Sequence, residues 1–427
     1  MSFGNVPRDL NVSCFATTRS TAAKSVNALF SADLRTVGAL LQYQRSPGVW
    51  VTAESLTVPA TQVGGVYNLS NPGNTIAVSY DAGIIAVGLN AAAYGDSVLE
   101  IWTNDSGQYA PLPGPIAAPG STIAPATIGT VSINNAGTVI ALGIEDDNTN
   151  IGAVYIYAFD GTNWNLQGSK ITGLGEVGAG LFGHAVSLNG EGNLLAVGCP
   201  QEGATNNGAV YIYNINNLAA PVLVTKINGI INSAEYGTSV SFSADGSTLA
   251  VSASSVVTVV TSGSVFIYTK VLGIWTQQAT LQALDSYVGD FFGIFQSLSG
   301  DGNILAVSTQ NTITMYYRTP GYVGQSAWST GALLPFPYDL VDPIMVSGLM
   351  VSLSQDGNTL CTSDINNNQD TGASWSYTQG PLGTWTQNGP GFVGLGGTGG
   401  LQGNVALSGD GKVAAVIDDA GEFWTFV

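Results

Sequence analysis

Apolar and small polar residues alternate at 297–300 (SLSG), the chain turns at Asp301-Gly302, and a nearly continuous apolar run, NILAVS, follows at 303–308. Alternation with a period of two marks a strand with one covered face, and a short unbroken apolar run fits a strand covered on both. The pattern recurs as SFSADGSTLAVS at 241–252 and SLSQDGNTLCTS at 352–363. Aligned on the turn glycine, copies fall at Gly73, Gly137, Gly192, Gly246, Gly302, Gly357 and Gly411, spaced 54 to 64 residues apart, with a looser copy framed on Thr18. A second signature follows in each copy: GAVYIY at 152–157 and 208–213, GSVFIY at 263–268, GASWSY at 372–377. Its β-branched and aromatic residues suit a pleated surface. After several copies comes a turn with Gly and Trp, ending at Trp50, Trp164, Trp275 or Trp385, and then a polar extended stretch. Each unit therefore predicts four strands, A to D, with the polar D strand outermost.

Four-stranded units repeated along a chain at this period are the pattern of an all-β propeller with antiparallel blades. The anchors predict a single propeller domain over residues 1–427 with eight blades, seven being the alternative count. Its repeats run over about 12–56, 67–112, 131–171, 186–226, 240–281, 295–333, 351–388 and 405–427. The last copy ends after its C strand, so residues 3–10 (FGNVPRDL) are expected to close the ring as the missing D strand. Pro7 suits such an outer edge, where one side needs no bonding. The stretch 104–130 holds five prolines and spans the widest interval, and reads as an extended insertion outside the blades.

Composition sharpens this picture. Charged residues make up 9% of the chain, against roughly a quarter in ordinary soluble domains, while hydrophobic residues reach 45%. The net charge of −18 argues against a nucleic-acid partner, because phosphate backbones attract Lys and Arg. The start of the chain is the exception. Arg8, Arg19, Lys24, Arg35 and Arg45 face only Asp9 and Asp33 there, so the first 45 residues carry +3 and the remainder −21. These five cations are either ordinary solvated charge or a basic patch that docks on an acidic surface, such as a second copy. Cys14, Cys199 and Cys361 are scattered and form no paired motif, which speaks against a disulfide framework or a zinc site. MSFGNVPRDLNVSCF does not read as a secretory signal, and no apolar run reaches the ~18–20 residues that span a bilayer, so membrane insertion is not expected.

The order of elements resembles the FG-GAP repeat, the propeller repeat also seen in integrin α-subunit heads. The likeness rests on Phe182-Gly183, Tyr236-Gly237 and Phe292-Gly293 ahead of strand A, on the LSxDGNxLAVG hairpin, and on GAVYIY with its G-x-W turn. The resemblance implies a propeller of the kind used in adhesion, on surfaces and in large-virus proteins, without implying a reaction. One departure matters. The A–B turns NGEG (189–192), SADG (243–246) and SGDG (299–302) each hold at most one carboxylate, too few for the six to eight oxygens that calcium takes, so the family's calcium loops are not expected there.

A meander puts the A–B and C–D turns on one face and the B–C loops and D–A connections on the other. The second set varies in length and composition, and variable loops on a rigid scaffold are where binding sits. The candidate binding residues are Glu145, Asp146, Asp147 and Asn148 in one loop and Gln201, Glu202 and Asn206 in another. In SDINNNQD (363–370), Asp364, Asn366, Asn368 and Asp370 stand at alternate positions, as the first ligands of a calcium loop do. Gln369 occupies the place where that loop wants Gly, and no bidentate Glu follows. Calcium, at these four residues or at Glu145, Asp146 and Asp147, is the one cofactor the sequence suggests. His184, the lone histidine, lies just ahead of an A strand and reads as a packing residue.

The chain has five Arg, four of them within the first 45 residues, so the carboxylate-binding arginine cluster of a sialidase is not expected. The expected function is a non-enzymatic structural or recognition module without catalytic residues. It would sit in a larger assembly or on a surface, a virus particle being one setting, and bind protein subunits or glycans through its B–C and D–A loops. The alternative is a carbohydrate-active propeller enzyme that uses acidic loop residues.

Overall fold

The computed structural model describes residues 52–57, 76–91, 96–104, 107–113, 116–118, 128–230, 234–254, 263–283, 290–310, 312–319, 328–335, 349–364, 373–392, 402–418 and 422–427. By its contacts the chain divides into two units, Met1–Pro47 and Gly48–Val427, and every described residue lies in the second. The cations Arg8, Arg19, Lys24, Arg35 and Arg45 lie outside the described residues.

Among the described residues seven antiparallel four-stranded sheets follow one another, with strands in sequence order from inside to outside, except that one has a split outer strand and the last takes its outer strand from the start of the unit. We number the blades one to seven by their inner strands: Ile76–Val78, Ile128–Ile133, Ala185–Leu188, Tyr236–Phe242, Gln296–Leu298, Met350–Leu353 and Gln402–Leu407. Blade three shows the logic. Leu194–Cys199, the B strand, is buried at every position, whereas Val222–Asn228, the D strand, is half-buried or exposed throughout. The core lies between blades: Ala196, Val210 and Ile212 of blade three pack with Tyr236, Val251 and Phe266 of blade four. The propeller is the one the repeat pattern predicts, and among the described residues its blades number seven, the alternative count, in place of eight.

Two features correct the count. Gln402–Leu407, Ala414–Asp418 and Glu422–Phe426 gain their fourth strand from Thr52–Thr57, paired from Thr52 opposite Phe426 to Thr57 opposite Glu422. The ring is thus closed by 52–57; residues 3–10, expected in that place, lie outside the described residues. The copy framed on Thr18 corresponds to no blade among the described residues. Closure separates a D strand from its A–C partners by almost the whole chain, so the G-x-W turn at Trp50 mimics the tail of a separate repeat.

The first hairpin also turns later than expected. Its turn is Asp81-Ala82, with Ala82 at φ +58 where Gly302 sits at φ +67. Ser79 and Ser299 play the same part: each hydroxyl donates to the turn aspartate, at 3.0 Å to Asp81 and 2.6 Å to Asp301. Each also accepts the N–H of the residue that starts the B strand, Ile84 at 3.0 Å and Ile304 at 2.9 Å. Counted from Ala82, the interval to Gly137 is 55 residues, in step with the others. Within 104–130, expected as an insertion outside the blades, two short described segments belong to the blade itself. Ala110–Pro111 and Ile116–Ala117 both pair with Asp96–Thr103 as a D strand interrupted by prolines, and Ile128–Ile133 begins the next blade. Missing N–H donors are tolerated at an outer edge.

The ring is fastened from inside by two sets of bonds. At each A–B turn, one backbone N–H donates to a carbonyl of the next blade: Tyr80 to Asn135 (3.2 Å), Asn135 to Gly190 (3.0 Å), Gly190 to Ala244 (2.9 Å), Ala244 to Gly300 (2.8 Å), Gly300 to Gln355 (2.8 Å) and Gln355 to Gly409 (2.9 Å). Asp410 closes the belt on Tyr80 at 3.0 Å. One turn deeper, serine hydroxyls accept the N–H of the next inner strand: Ser132 from Leu188, Ser187 from Phe242, Ser241 from Leu298, Ser297 from Leu353 and Ser352 from Leu407, all at 2.9–3.0 Å. An innermost strand presents an edge with unpaired donors, and a hydroxyl from the neighbouring blade covers one of them. This is the reason for the small polar residue within strand A. Blades one and seven carry Ala77 and Ala406 at that position.

Candidate functional site

The loop face is braced blade to blade by the aromatic-glycine pairs. Phe182 and Phe292 are buried ahead of their A strands, and Tyr236 is buried at the start of its own. Phe182 pairs with Gly152 of blade two in a parallel bridge, and Tyr236 pairs with Gly208 of blade three in the same way. A Cβ built on Gly152 would stand 2.0 Å from the Phe182 carbonyl oxygen, so only glycine fits ahead of A-V-Y-I-Y. Backbone bonds extend the clasp: Leu181 N–H donates to Asn150 at 2.9 Å, Gln201 to Gly180 at 3.1 Å, and Gly203 to Val177 at 3.0 Å. The connections that lead into blades three and four are thereby fixed to the B–C loops beside them.

The acidic loop residues point inward. Asp147, fully buried, accepts from Lys170 Nζ at 2.7 Å and from the Tyr155 hydroxyl at 3.2 Å. Glu202 repeats the arrangement one blade on, with the Lys226 ammonium and with Tyr211 Oη at 2.8 Å. Lys226 also lies over the Tyr211 ring, 4.9 Å from its centre. Glu145 pairs with His184 Nδ1, and both are buried. His184 is therefore tied to the loop acid of the preceding blade as well as packed. Of the remaining candidates, Asp146 is half-buried, while Asn148, Gln201 and Asn206 are exposed. Asp364 is buried at the end of strand Thr359–Asp364, whereas Asn366, Asn368 and Asp370 lie outside the described residues. Among the described residues no group of three or more His, Cys, Asp or Glu is placed to hold a metal.

Glu176, in the D–A connection to blade three, is a member of this network that sequence reasoning missed. Its Oε1 accepts the Gly180 N–H at 3.2 Å and faces Cys199 Sγ at 3.7 Å. Burial, with the negative charge of Glu202 adding to it, pushes its carboxyl up to about 7. Burial and the same two glutamates also push the Cys199 thiol far up, so it is an inert packing group rather than a nucleophile. Beside these polar residues the loop face also exposes apolar ones: Leu174 and Val177 in the 172–181 connection and Ile230 in the next, exposed by 69%, 58% and 82%.

At the opposite end the central channel, a cavity of about 200 Å³ lined by the inner strands, is crossed by an amide pair. Asn135 Nδ2 donates to Gln355 Oε1 at 2.9 Å, and Gln355 Nε2 returns a bond to Asn135 Oδ1. Small residues at the same turn position, Gly190, Ala244, Gly300 and Gly409, leave room for this bridge.

No protein-family model matches the chain, and no curated protein matches it. Solved structures do. A chain of the mitotic checkpoint complex crystal structure matches with a TM-score of 0.58 at 14% identity, over 91% of this chain and 94% of that one. The Cps50 (Swd1) β-propeller domain of Myceliophteria thermophila matches with a TM-score of 0.57 at 12% identity, over 88% of this chain and 99% of that one. At these identities the likeness shows the fold alone, and that fold is a β-propeller.

Proposed function

We propose that the protein is a non-enzymatic recognition scaffold that presents its loop face to protein partners within a larger assembly. The exposure of Leu174, Val177 and Ile230 on connections whose backbone is clasped in place carries this reading. Apolar groups held in water by a fixed backbone gain nothing from folding, and fully covering one such side chain contributes about 1.5–3 kcal/mol. The carboxylates beneath them are engaged with Lys170, Lys226, His184 and two tyrosines, which favours a scaffold over a carbohydrate-active enzyme. The similar chain in the mitotic checkpoint complex also belongs to a protein assembly, which is the company proposed here. FG-GAP membership fits the same use, with the aromatic-glycine pairs acting as clasps.

The test places a photo-crosslinking residue at Ile230 on the loop face and, separately, at Leu382 on the turn face, in the protein's native assembly. The scaffold reading expects protein crosslinks from position 230. Crosslinks from position 382 alone would reverse the assignment of the face. Hydrolysis of a glycoside panel that disappears in Glu176→Gln would replace the scaffold with the enzyme.

A further inference from the structure

A second recognition site lies on the turn face, in the groove between blades three and four, and its chemistry is set out by the groove beside it. Between blades four and five the groove is filled by Arg318, at the end of strand Thr312–Arg318. Its guanidinium donates from Nε to Asn303 Oδ1 at 2.9 Å, from Nη1 to Thr248 Oγ1 at 3.1 Å and from Nη2 to the Asp301 carbonyl at 3.4 Å. The carboxylates of Asp245 and Asp301 flank it, and the Trp328 ring lies 5.7 Å from its central carbon.

The groove between blades three and four has the same frame. Lys270 stands where Arg318 does: the N–H of each donates at 2.8–2.9 Å to the carbonyl of the residue after the turn glycine, Ser247 for Lys270 and Asn303 for Arg318. The Lys270 ammonium lies 6.0 Å from the centre of the Trp275 ring, as Arg318 lies over Trp328. Glu191 and Asp245 replace the flanking pair Asp245 and Asp301, and Leu194 replaces Thr248. Here, however, the space is open. Glu191, Leu194, Asn214, Asp245, Ser247 and Lys270 line a cavity of about 340 Å³.

We propose that this open groove receives an arginine side chain from a partner protein, seated between Glu191 and Asp245 as Arg318 is seated between Asp245 and Asp301. The planar guanidinium suits the site because it donates several bonds in one plane to acceptors on two neighbouring turns. Asn214 and Ser247 supply neutral acceptors, and the two carboxylates outweigh the single Lys270 charge. The site lies on the face opposite the apolar loops, so it stands whether or not the loop face binds.

The experiment follows backbone amide shifts of the full chain during titration with N-acetylarginine amide, and with N-acetyllysine amide as the control. The arginine compound should shift the amides of Gly246, Ser247 and Asn214 and bind about tenfold more tightly than the lysine compound, a gap of about 1.4 kcal/mol. Glu191→Gln should weaken it several-fold. The triple change Lys270→Arg, Leu194→Thr and Ser247→Asn rebuilds the Arg318 groove and should abolish the shifts. Shifts scattered over the surface, equal binding of both compounds, or full binding to Glu191→Gln would each overturn the proposal, even if the triple variant failed to fold.

Discussion

Ser297→Ala isolates one inter-blade bond without touching the hydrophobic core. Leu353, 6% exposed, donates its N–H to Ser297 Oγ at 3.0 Å across the joint between blades five and six. Losing a hydrogen bond of this kind costs about 1 kcal/mol net, and leaving the buried N–H with no acceptor raises the cost to about 3 kcal/mol. The channel cavity of about 200 Å³ adjoins both residues and can admit water to the freed donor, which favours the lower figure. We expect a loss near 1 kcal/mol in urea unfolding and a roughly fivefold faster exchange of the Leu353 amide. The Leu298 amide, held by Ser241 at the previous joint, should keep its protection. The converse variant, Ala406→Ser, offers a hydroxyl to Val78 and should stabilise by about 0.5–1.5 kcal/mol. Unchanged protection at Leu353 in Ser297→Ala would refute the stitching role, whatever happened to global stability.

Three further outcomes follow from the same reading. Ala82→Gly should stabilise by about 0.5–1 kcal/mol because φ +58 strains alanine, whereas Gly302→Ala should cost more than 1 kcal/mol, its Cβ meeting Thr248 Oγ1 at 2.8 Å; chemical denaturation checks both. Lys226→Met leaves Glu202 buried beside Tyr211 without its cation and should destabilise by about 3–5 kcal/mol at neutral pH, with Glu202→Gln restoring most of it in a double-mutant cycle. Glu176 holds a proton in the folded state up to about pH 7 but releases it near 4.5 when unfolded, so stability falls as pH rises through that window and is level above it. Glu176→Gln should remove this slope, gaining on the order of 2 kcal/mol at pH 8 and little at pH 4 in paired melting curves.

The hairpin pattern of 297–308 was enough to read a four-stranded propeller repeat, because period-two alternation, the turn glycine and the apolar B strand all follow from the same burial. The blade count was harder, since Ala82 hides a turn while Gly73 offers a substitute anchor, and Thr52–Thr57 pairs with the far end of the chain. Glu145, Asp147 and Glu202 read as binding residues of the variable loops, whereas the structure buries all three against partners within the chain. Their partners carried a legible signal: Lys170 and Lys226 each follow a strand-C tyrosine, Tyr155 and Tyr211, by 15 residues in consecutive repeats. Asn135 and Gln355 were not legible as a pair. They lie 220 residues apart and meet only because the ring closes.

The belt of turn amides fixes the electrostatics of that channel mouth. Its seven dipoles run head to tail around a circle, so their in-plane components nearly cancel, and the donating N–H groups are all engaged. The mouth consequently lacks the anion-attracting pole that a helix end or an amide nest supplies. Its sign is set by side chains on the turns around it, where Asp81, Glu191, Asp245, Asp301, Asp356 and Asp410 outnumber Lys270, Arg318 and Lys412, so this end of the ring favours cations over phosphates.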